Sequence, residues 1–164
     1  MYLCLAGGHI PLESQFGSHY FFKSTVTVLS LACGHLREYE LIQSVKNQQI
    51  SKYYALDSDV SSLEEVKKSY SQDNIVDCQR VSVRNILSGA KTFANIDFVY
   101  TLGLYDYLPQ MVAQKLTKAL FDMLAPSGKL MISNYIPSIR DRGYMESYMD
   151  WRLIYRDEKE MDDL

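Results

Sequence analysis

Residues 25–38 read TVTVLSLACGHLRE and predict the start of an α/β fold. The apolar run from Val26 to Leu31 is unbroken, which is typical of a strand buried on both faces of a parallel sheet. The run stops at Ala32-Cys33-Gly34, and a helical pattern begins near His35. A strand, a turn of small residues and a helix together present free backbone N–H groups and a positive helix N-terminus to a ligand. We therefore expect a ligand site at this turn.

The composition is that of an ordinary globular domain. The chain has 164 residues, of which 47% are hydrophobic and 23% charged, and this length suffices for one domain with a sizeable core. The net charge of −3 argues against a nucleic-acid partner held mainly through phosphate contacts. No apolar run approaches the length needed to cross a bilayer, so we expect no membrane span.

The N-terminal segment and the cysteines carry no recognisable chemistry. Residues 1–24 are interrupted by glycines and a proline, form a poorly defined segment and lack the basic region of a signal peptide. The three cysteines, Cys4, Cys33 and Cys78, match neither a zinc pattern nor a disulfide framework. We therefore expect no metal site and a location in the reducing cytoplasm.

Apolar runs alternate with helical patterns along residues 25–164, which form the predicted domain. The predicted strands cover residues 25–32, 52–56, 75–83, 96–102 and 129–134, and a turn at 125–128 precedes the last of them. This alternation predicts an α/β, Rossmann-like, doubly wound and mostly parallel sheet with the strand order 3-2-1-4-5. The ligand crevice then lies at the carboxyl ends of strands one and four, beside the first turn and residues 101–107.

Apolar spacing places the helices between these strands. The first helix is predicted from the stripe Leu36, Tyr39, Ile42 and Val45, and Asp59 is predicted as the N-cap of the second. Near the C-terminus, Met145, Tyr148 and Met149 form either an apolar helix face or the wall of a substrate pocket.

Three positions at the predicted crevice suit a nucleoside ligand. Ala32 and Gly34 let a ligand approach the backbone, although the turn lacks G-x-G-x-x-G and a plain strand-to-helix turn is the alternative. Asp57 ends the second strand, where a carboxylate can accept hydrogen bonds from both ribose hydroxyls; otherwise it is a turn residue. Asn85 follows the third strand, and its amide can pair with an adenine edge or cap a helix.

Five motifs follow one another in the chain: VLSLACGHL (28–36), ALDSD (55–59), VSVRNIL (81–87), IDFVYTLGLYDYLP (96–109) and MLAPSGKLMISNY (123–135). In order and spacing they resemble the motifs of class I S-adenosylmethionine-dependent methyltransferases. The resemblance implies S-adenosylmethionine as the cofactor, held by Ala32, Cys33, Gly34, Asp57, Ser58, Asn85, Ile86, Thr101, Leu102 and Gly103. It implies acceptor contacts from Tyr105, Asp106 and Tyr107 and identifies no catalytic residue.

The chain departs from that family's pattern at two places. In the first motif, Ser30 replaces the family's usual acidic residue, and Ala32 and Leu36 replace the first and the last glycine. We therefore expect weaker binding of the methionine amino group. The family fold ends with two further strands, whereas no β run follows Asp150. We therefore expect a C-terminally truncated, partial domain that lacks these two strands. Its fifth strand would be an unpaired edge through which a homodimer could form.

The resemblance extends to a bacterial subgroup that includes fatty-acid methyl ester synthases acting on 3-hydroxypalmitate, through GLYDYLP, ISNY and YMDWRLIYR. It implies methyl transfer to a small-molecule or fatty-acid-like acceptor, and a carboxylate acceptor needs no general base. One alternative is a catalytically inactive remnant that binds a cofactor or a partner. A second is a nicotinamide-dependent oxidoreductase, against which the missing glycine argues. Cys33 is expected to be a small packing residue rather than a nucleophile.

Overall fold

A six-stranded sheet organises the residues that the computed structural model describes, 2–5 and 25–164. Its strands are β1 (Tyr2–Leu5), β2 (Val26–Leu31), β3 (Ile50–Asp57), β4 (Val76–Arg80), β5 (Ile96–Thr101) and β6 (Leu124–Asn134). The spatial order is β1-β6-β5-β2-β3-β4, and the neighbours from β6 to β4 are parallel. The predicted order 3-2-1-4-5 of the five parallel strands is confirmed.

The prediction that the fifth parallel strand is an unpaired edge is wrong. β1 pairs with β6 in antiparallel orientation, from Tyr2 opposite Asn134 to Leu5 opposite Met131. Because β1 uses the backbone groups on that side of β6, the predicted homodimer through this edge loses its physical basis. No strand follows β6 within the described residues 135–164. The remainder of the predicted N-terminal segment, residues 6–24, lies outside the described residues.

The central strands are buried on both faces, as their unbroken apolar runs predict. All six residues of β5 are buried, and five of the six in β2. Alternate residues point to opposite faces of a strand, so the sheet separates two apolar layers. One layer includes Leu29, Leu31, Leu56, Val99, Leu116 and Leu120, and the other includes Val28, Leu36, Tyr39, Tyr53, Ala55 and Tyr100.

The prediction that a helix begins near His35 is wrong. Ala32, Gly34 and Leu36 have φ angles of 56°, 52° and 54°, and this left-handed conformation interrupts a helix. The chain then forms a 3-10 turn and the one-turn helix α1 (Gln43–Lys46). The predicted stripe is nevertheless largely buried, at Leu36, Tyr39 and Ile42. Consequently no long helix points its N-terminus at the turn.

The later helices lie close to their predicted positions. α2 (Val60–Ser69) begins after Asp59, whose carboxylate accepts hydrogen bonds from the backbone N–H groups of Ser61 and Ser62, so the predicted cap is confirmed. Four further helices follow: α3 (Val83–Leu87), α4 (Gln110–Phe121), α5 (Arg142–Ser147) and α6 (Glu158–Asp162). The third parallel strand ends at Arg80 rather than at residue 83, because Ser82 caps α3.

The turn predicted at residues 125–128 is an irregular part of β6. The register between β5 and β6 shifts between Ile96 and Phe98, and Ser127 has a φ of 66°. A Cβ atom on Gly128 would lie 2.8 Å from the backbone oxygen of Ile96 and 2.9 Å from that of Ala125. Glycine is therefore required where the two strands approach.

Candidate functional site

The carboxylate of Asp57 joins two turns at the carboxyl edge of the sheet. Its Oδ2 accepts a hydrogen bond from the backbone N–H of Gly34 (2.8 Å), and its Oδ1 accepts one from that of Asp59 (2.9 Å). Each carboxylate oxygen has a second lone pair, so both can still accept a bond from a ligand. The side chain is half-buried and held in one orientation, which prepares it to receive two neighbouring hydroxyl groups.

The turn after β2 brings its backbone close to open space. The N–H of Cys33 donates to the backbone oxygen of Leu56 (3.0 Å), which fixes the turn against β3. A Cβ atom on Gly34 would meet no atom within 4 Å, so a ligand can approach the backbone there. The left-handed conformation of Ala32 and Leu36 costs of order 1 kcal/mol at each residue, which the surrounding packing must offset.

The thiol of Cys33 lies inside this turn and is poorly suited to nucleophilic chemistry. The side chain is buried, and its sulfur donates a hydrogen bond to the backbone oxygen of Gly34. Burial and the nearby Asp57 carboxylate raise the pKa of the Cys33 thiol to about 12. A thiol that stays protonated at neutral pH supports the packing role expected from the sequence.

The carboxyl end of β5 contributes a hydroxyl group and a backbone bend. Thr101 is fully buried, and its Oγ1 has no hydrogen-bond partner within the described part of the chain. Gly103 follows with a φ of 76°, and its N–H donates to Oγ of Ser133 (3.0 Å). Leu102 between them is half-buried. This end of β5 lies beside β2, as the sequence predicted.

Asn85 acts as part of a helix cap. Its Oδ1 accepts hydrogen bonds from the backbone N–H (2.9 Å) and the hydroxyl (2.7 Å) of Ser82, and its own N–H donates to Ser82 Oγ (3.3 Å). This is the capping alternative that the sequence left open, and contact with adenine stays a prediction. Ile86 is buried beneath it, and Ser58 is exposed beside Asp57.

The three residues predicted to contact the acceptor have different surroundings. Tyr105 is fully buried, and its hydroxyl pairs with Thr117. Asp106 is 2% exposed; its Oδ1 accepts from the backbone N–H of Tyr135 (2.7 Å), and burial raises the pKa of its carboxyl. Tyr107 is 54% exposed and accepts a hydrogen bond from the indole N–H of Trp151. Only Tyr107 therefore presents its ring to solvent.

Trp151 connects Tyr107 to Tyr135, which follows the end of β6. The ring centroids of Trp151 and Tyr135 are 6.3 Å apart with an interplanar angle of 74°. We call these three residues, Tyr107, Tyr135 and Trp151, the aromatic rim. Next to it, α5 buries Met145, whereas Tyr148 and Met149 follow the end of the helix and are exposed, so these three residues do not form one apolar helix face. The aromatic content of residues 144–155 was the available sequence signal for this surface.

The structure also contains a buried arginine that the sequence analysis missed. Arg156 is 1% exposed, and its guanidinium donates to the backbone oxygens of Tyr105 (2.7 Å) and Leu108 (2.5 Å). It also donates to the side-chain oxygens of Asn134 (2.7 Å) and Gln110 (2.8 Å). Arg156 thereby fixes the C-terminal segment to the loop that carries Asp106 and Tyr107.

Among residues 2–5 and 25–164, no group of three or more His, Cys, Asp or Glu side chains could hold a metal ion. No helix in these ranges is long and apolar enough to cross a membrane.

Solved structures share this fold, whereas no protein-family model and no curated protein sequence matches the chain. PKMT2 from Rickettsia typhi, in complex with AdoHcy, is similar at 22% identity and a TM-score of 0.60 over 78% of this chain and 25% of PKMT2. The trans-methyltransferase CalH, in complex with SAH, is similar at 16% identity and a TM-score of 0.62 over 75% of this chain and 36% of CalH. This chain shares the Rossmann-like fold of these two structures. It spans only a quarter of the length of PKMT2.

A third structure, the CurJ carbon methyltransferase, is similar at 11% identity and a TM-score of 0.62. The match covers 79% of this chain and 33% of CurJ. At such identities the similarity concerns the arrangement of the strands, and function has to be argued from the site.

Proposed function

We propose that this chain binds S-adenosylmethionine at the carboxyl edge of β2, β3 and β5 and transfers its methyl group to a small-molecule or fatty-acid-like acceptor. The observation that carries the proposal is the position of Asp57. Two backbone N–H groups orient its carboxylate at the edge where β2 and β3 end, and each oxygen keeps a lone pair for a ribose hydroxyl.

The other residues of this edge fit the remaining parts of the cofactor. The open space at Gly34 accommodates a group that approaches the backbone. The Thr101 hydroxyl has no hydrogen-bond partner among residues 2–5 and 25–164 and offers a donor or an acceptor. Ile86 is 3% exposed and packs in the core directly after the exposed Asn85, and we propose that the purine ring binds beside these two residues. The proposed cofactor contacts are therefore Ala32, Cys33, Gly34, Asp57, Ser58, Asn85, Ile86, Thr101, Leu102 and Gly103.

The protein's part in such a reaction is orientation and exclusion of water. Bound S-adenosylmethionine supplies a methyl group already activated by the sulfonium. Asp57 would fix the ribose, and the turn after β2 would fix the direction of the sulfur, so that an acceptor oxygen attacks in line. A carboxylate acceptor carries no proton to remove, which agrees with the absence of an assigned catalytic base.

The aromatic rim favours an acceptor with an apolar body. Tyr107 is on the loop after β5 and Tyr135 follows β6, so the rim lies at the same end of the sheet as Asp57. Exposed aromatic rings bind acyl chains and rings by excluding water from apolar surface. We propose Asp106 and Tyr107 as acceptor-side residues, with Tyr105 supporting them from the core.

Calorimetric titration with S-adenosylhomocysteine and NAD tests the cofactor. We expect S-adenosylhomocysteine to bind. Asp57→Ala should lower the affinity for S-adenosylhomocysteine by at least about tenfold, because two hydrogen bonds to a charged acceptor are lost. Asp59→Asn is the matched control, since Asp59 is exposed and its cap function tolerates asparagine. Binding of NAD in place of S-adenosylhomocysteine would overturn the proposal.

A cofactor-binding chain without transferase activity is the second candidate. The observation that favours it is that Ser30 stands where the resembled family usually has an acidic residue. Formation of S-adenosylhomocysteine from S-adenosylmethionine, measured with hexadecanoic and butanoic acids, distinguishes the two. Turnover that is faster with the longer acid supports the aromatic rim as its binding surface, and binding without turnover on any acid or amine favours the second candidate.

A further inference from the structure

A chain of buried hydroxyl groups ends at the carboxylate of Glu38. The rings of Tyr53 and Tyr100 are 0% and 2% exposed, and their hydroxyls are hydrogen-bonded to each other. The hydroxyl of Tyr100 donates to Oε1 of Glu38 (2.6 Å), and Ser30 is the residue opposite Tyr100 on the neighbouring strand β2. The half-buried Glu38 carboxylate therefore has a fixed position against the Tyr100 hydroxyl.

This arrangement lies at the edge of the sheet where the proposed ligand binds. Ser30 pairs with Tyr100 across β2 and β5, and each residue is the last but one of its strand. Glu38 is also close enough to the turn for its charge to contribute to the raised pKa of Cys33. Its carboxylate thus accompanies that of Asp57 at the turn after β2.

The tyrosines hold the Glu38 carboxylate as donors rather than as competing charges. Burial raises the pKa of Tyr100 well above its ordinary value, so its hydroxyl stays protonated and donates at neutral pH. Within the described ranges, no lysine or arginine forms an ion pair with Glu38. An oriented carboxylate without a cationic partner there is suited to bind a cation.

We infer that Glu38 binds the ammonium group of the cofactor's amino-acid part, and so supplies at residue 38 the negative charge that Ser30 does not. The inference rests on the proposed function, since S-adenosylmethionine brings this ammonium to the edge of the sheet. Tyr100, the strand partner of Ser30, fixes Glu38 through its hydroxyl. The lack of an acidic side chain at residue 30 therefore does not leave the turn without a negative charge for the ammonium group.

Two ligands that differ in the amino-acid part provide the test. S-adenosylhomocysteine carries the ammonium, whereas 5′-methylthioadenosine has the same nucleoside and a sulfur but no amino acid. We expect Glu38→Gln to lower the affinity for S-adenosylhomocysteine by about tenfold or more, and to change the affinity for 5′-methylthioadenosine by no more than about twofold. Glu40→Gln, which alters an exposed carboxylate in the same 3-10 turn, should change neither affinity.

The ratio of the two affinities makes the outcomes distinguishable, since a partial loss of folded protein lowers both equally. An unchanged ratio in Glu38→Gln overturns the role of Glu38 and leaves the proposed function standing. Failure of the wild-type chain to bind either ligand overturns the proposed function and this inference with it. If thermal unfolding shows that Glu38→Gln is not folded, Tyr100→Phe decides. It removes the hydroxyl that orients Glu38 and should change the ratio in the same direction.

Discussion

Replacing Arg156 should destabilise the fold more than any exposed substitution. Its guanidinium is almost completely buried and donates to four oxygen atoms, two of them on the backbone of residues 105–108. Asp106 nearby contributes an attractive negative charge. Arg156→Met fills a similar length with apolar atoms but leaves these oxygens buried and without their donor.

The size of the effect follows from those unpaired groups. Removing one partner from a buried, hydrogen-bonded charge network typically costs about 3–5 kcal/mol of unfolding free energy. Most domains are stable by only about 5–15 kcal/mol, so the loss would be a large fraction of the total. For a chain of this length the melting temperature should fall by about 10 °C.

Urea unfolding of three variants tests this reasoning. Arg156→Lys keeps the charge but not the fork of donors, so its loss should be intermediate. Arg152→Met is the control, because the Arg152 side chain is 82% exposed and pairs with Asp150 on the surface. A loss below about 1 kcal/mol in Arg156→Met would mean that the guanidinium network does not fix the C-terminal segment, and the argument would fail.

Three further predictions concern the backbone, a buried acid and a thiol. Gly128→Ala should lower the free energy of unfolding, measured in urea, by about 2 kcal/mol or more, because its Cβ would meet the backbone oxygen of Ile96. Gly143→Ala, in an open helical position, should be neutral or stabilising. Equal effects of the two substitutions would contradict the geometry. Burial raises the pKa of Asp106, so the folded chain holds that proton more tightly than the unfolded chain does. Stability should therefore fall relative to Asp106→Asn as pH rises above about 4, and a constant difference up to pH 7 would refute this. Cys33, with its pKa of about 12, should react with a thiol reagent at pH 8 about 10³-fold more slowly than an ordinary cysteine. Fast labelling in a chain with both Cys4→Ser and Cys78→Ser, where Cys33 is the remaining thiol, would exclude the buried position.

The parallel sheet could be predicted because its signal is local. Strands buried on both faces are mostly apolar, and Val26–Leu31 and Ile96–Thr101 fit that pattern although they also bury Ser30, Asp97 and Thr101. Right-handed connections then restrict the order of the strands to very few arrangements. Asp59 could be identified as a cap for the same reason, since a cap depends on the residues directly after it.

The features that the sequence did not predict depend on contacts between distant residues. β1 joins β6 across more than a hundred residues, and no pattern in Tyr2–Leu5 specifies that partner. In the sequence, Arg156 resembles a surface residue. Its buried position depends on the backbone oxygens of Tyr105 and Leu108, which accept hydrogen bonds from its guanidinium. The left-handed Leu36 is equally hidden, because its apolar spacing is the same in a helix and in an irregular segment packed on the sheet.

The missing helix after the turn changes which ligand the site favours. A long helix would have brought a positive N-terminus to the turn, as suits a phosphate. Instead the chain continues through the left-handed Leu36, and the carboxylates of Glu38 and Asp57 lie near enough to the turn that both raise the pKa of Cys33. Two negative charges there would repel the diphosphate of a nicotinamide dinucleotide and attract the sulfonium and ammonium groups of S-adenosylmethionine. On electrostatic grounds, the irregular turn therefore supports the methyl donor over the dinucleotide, and neutralising both carboxylates should reduce that preference.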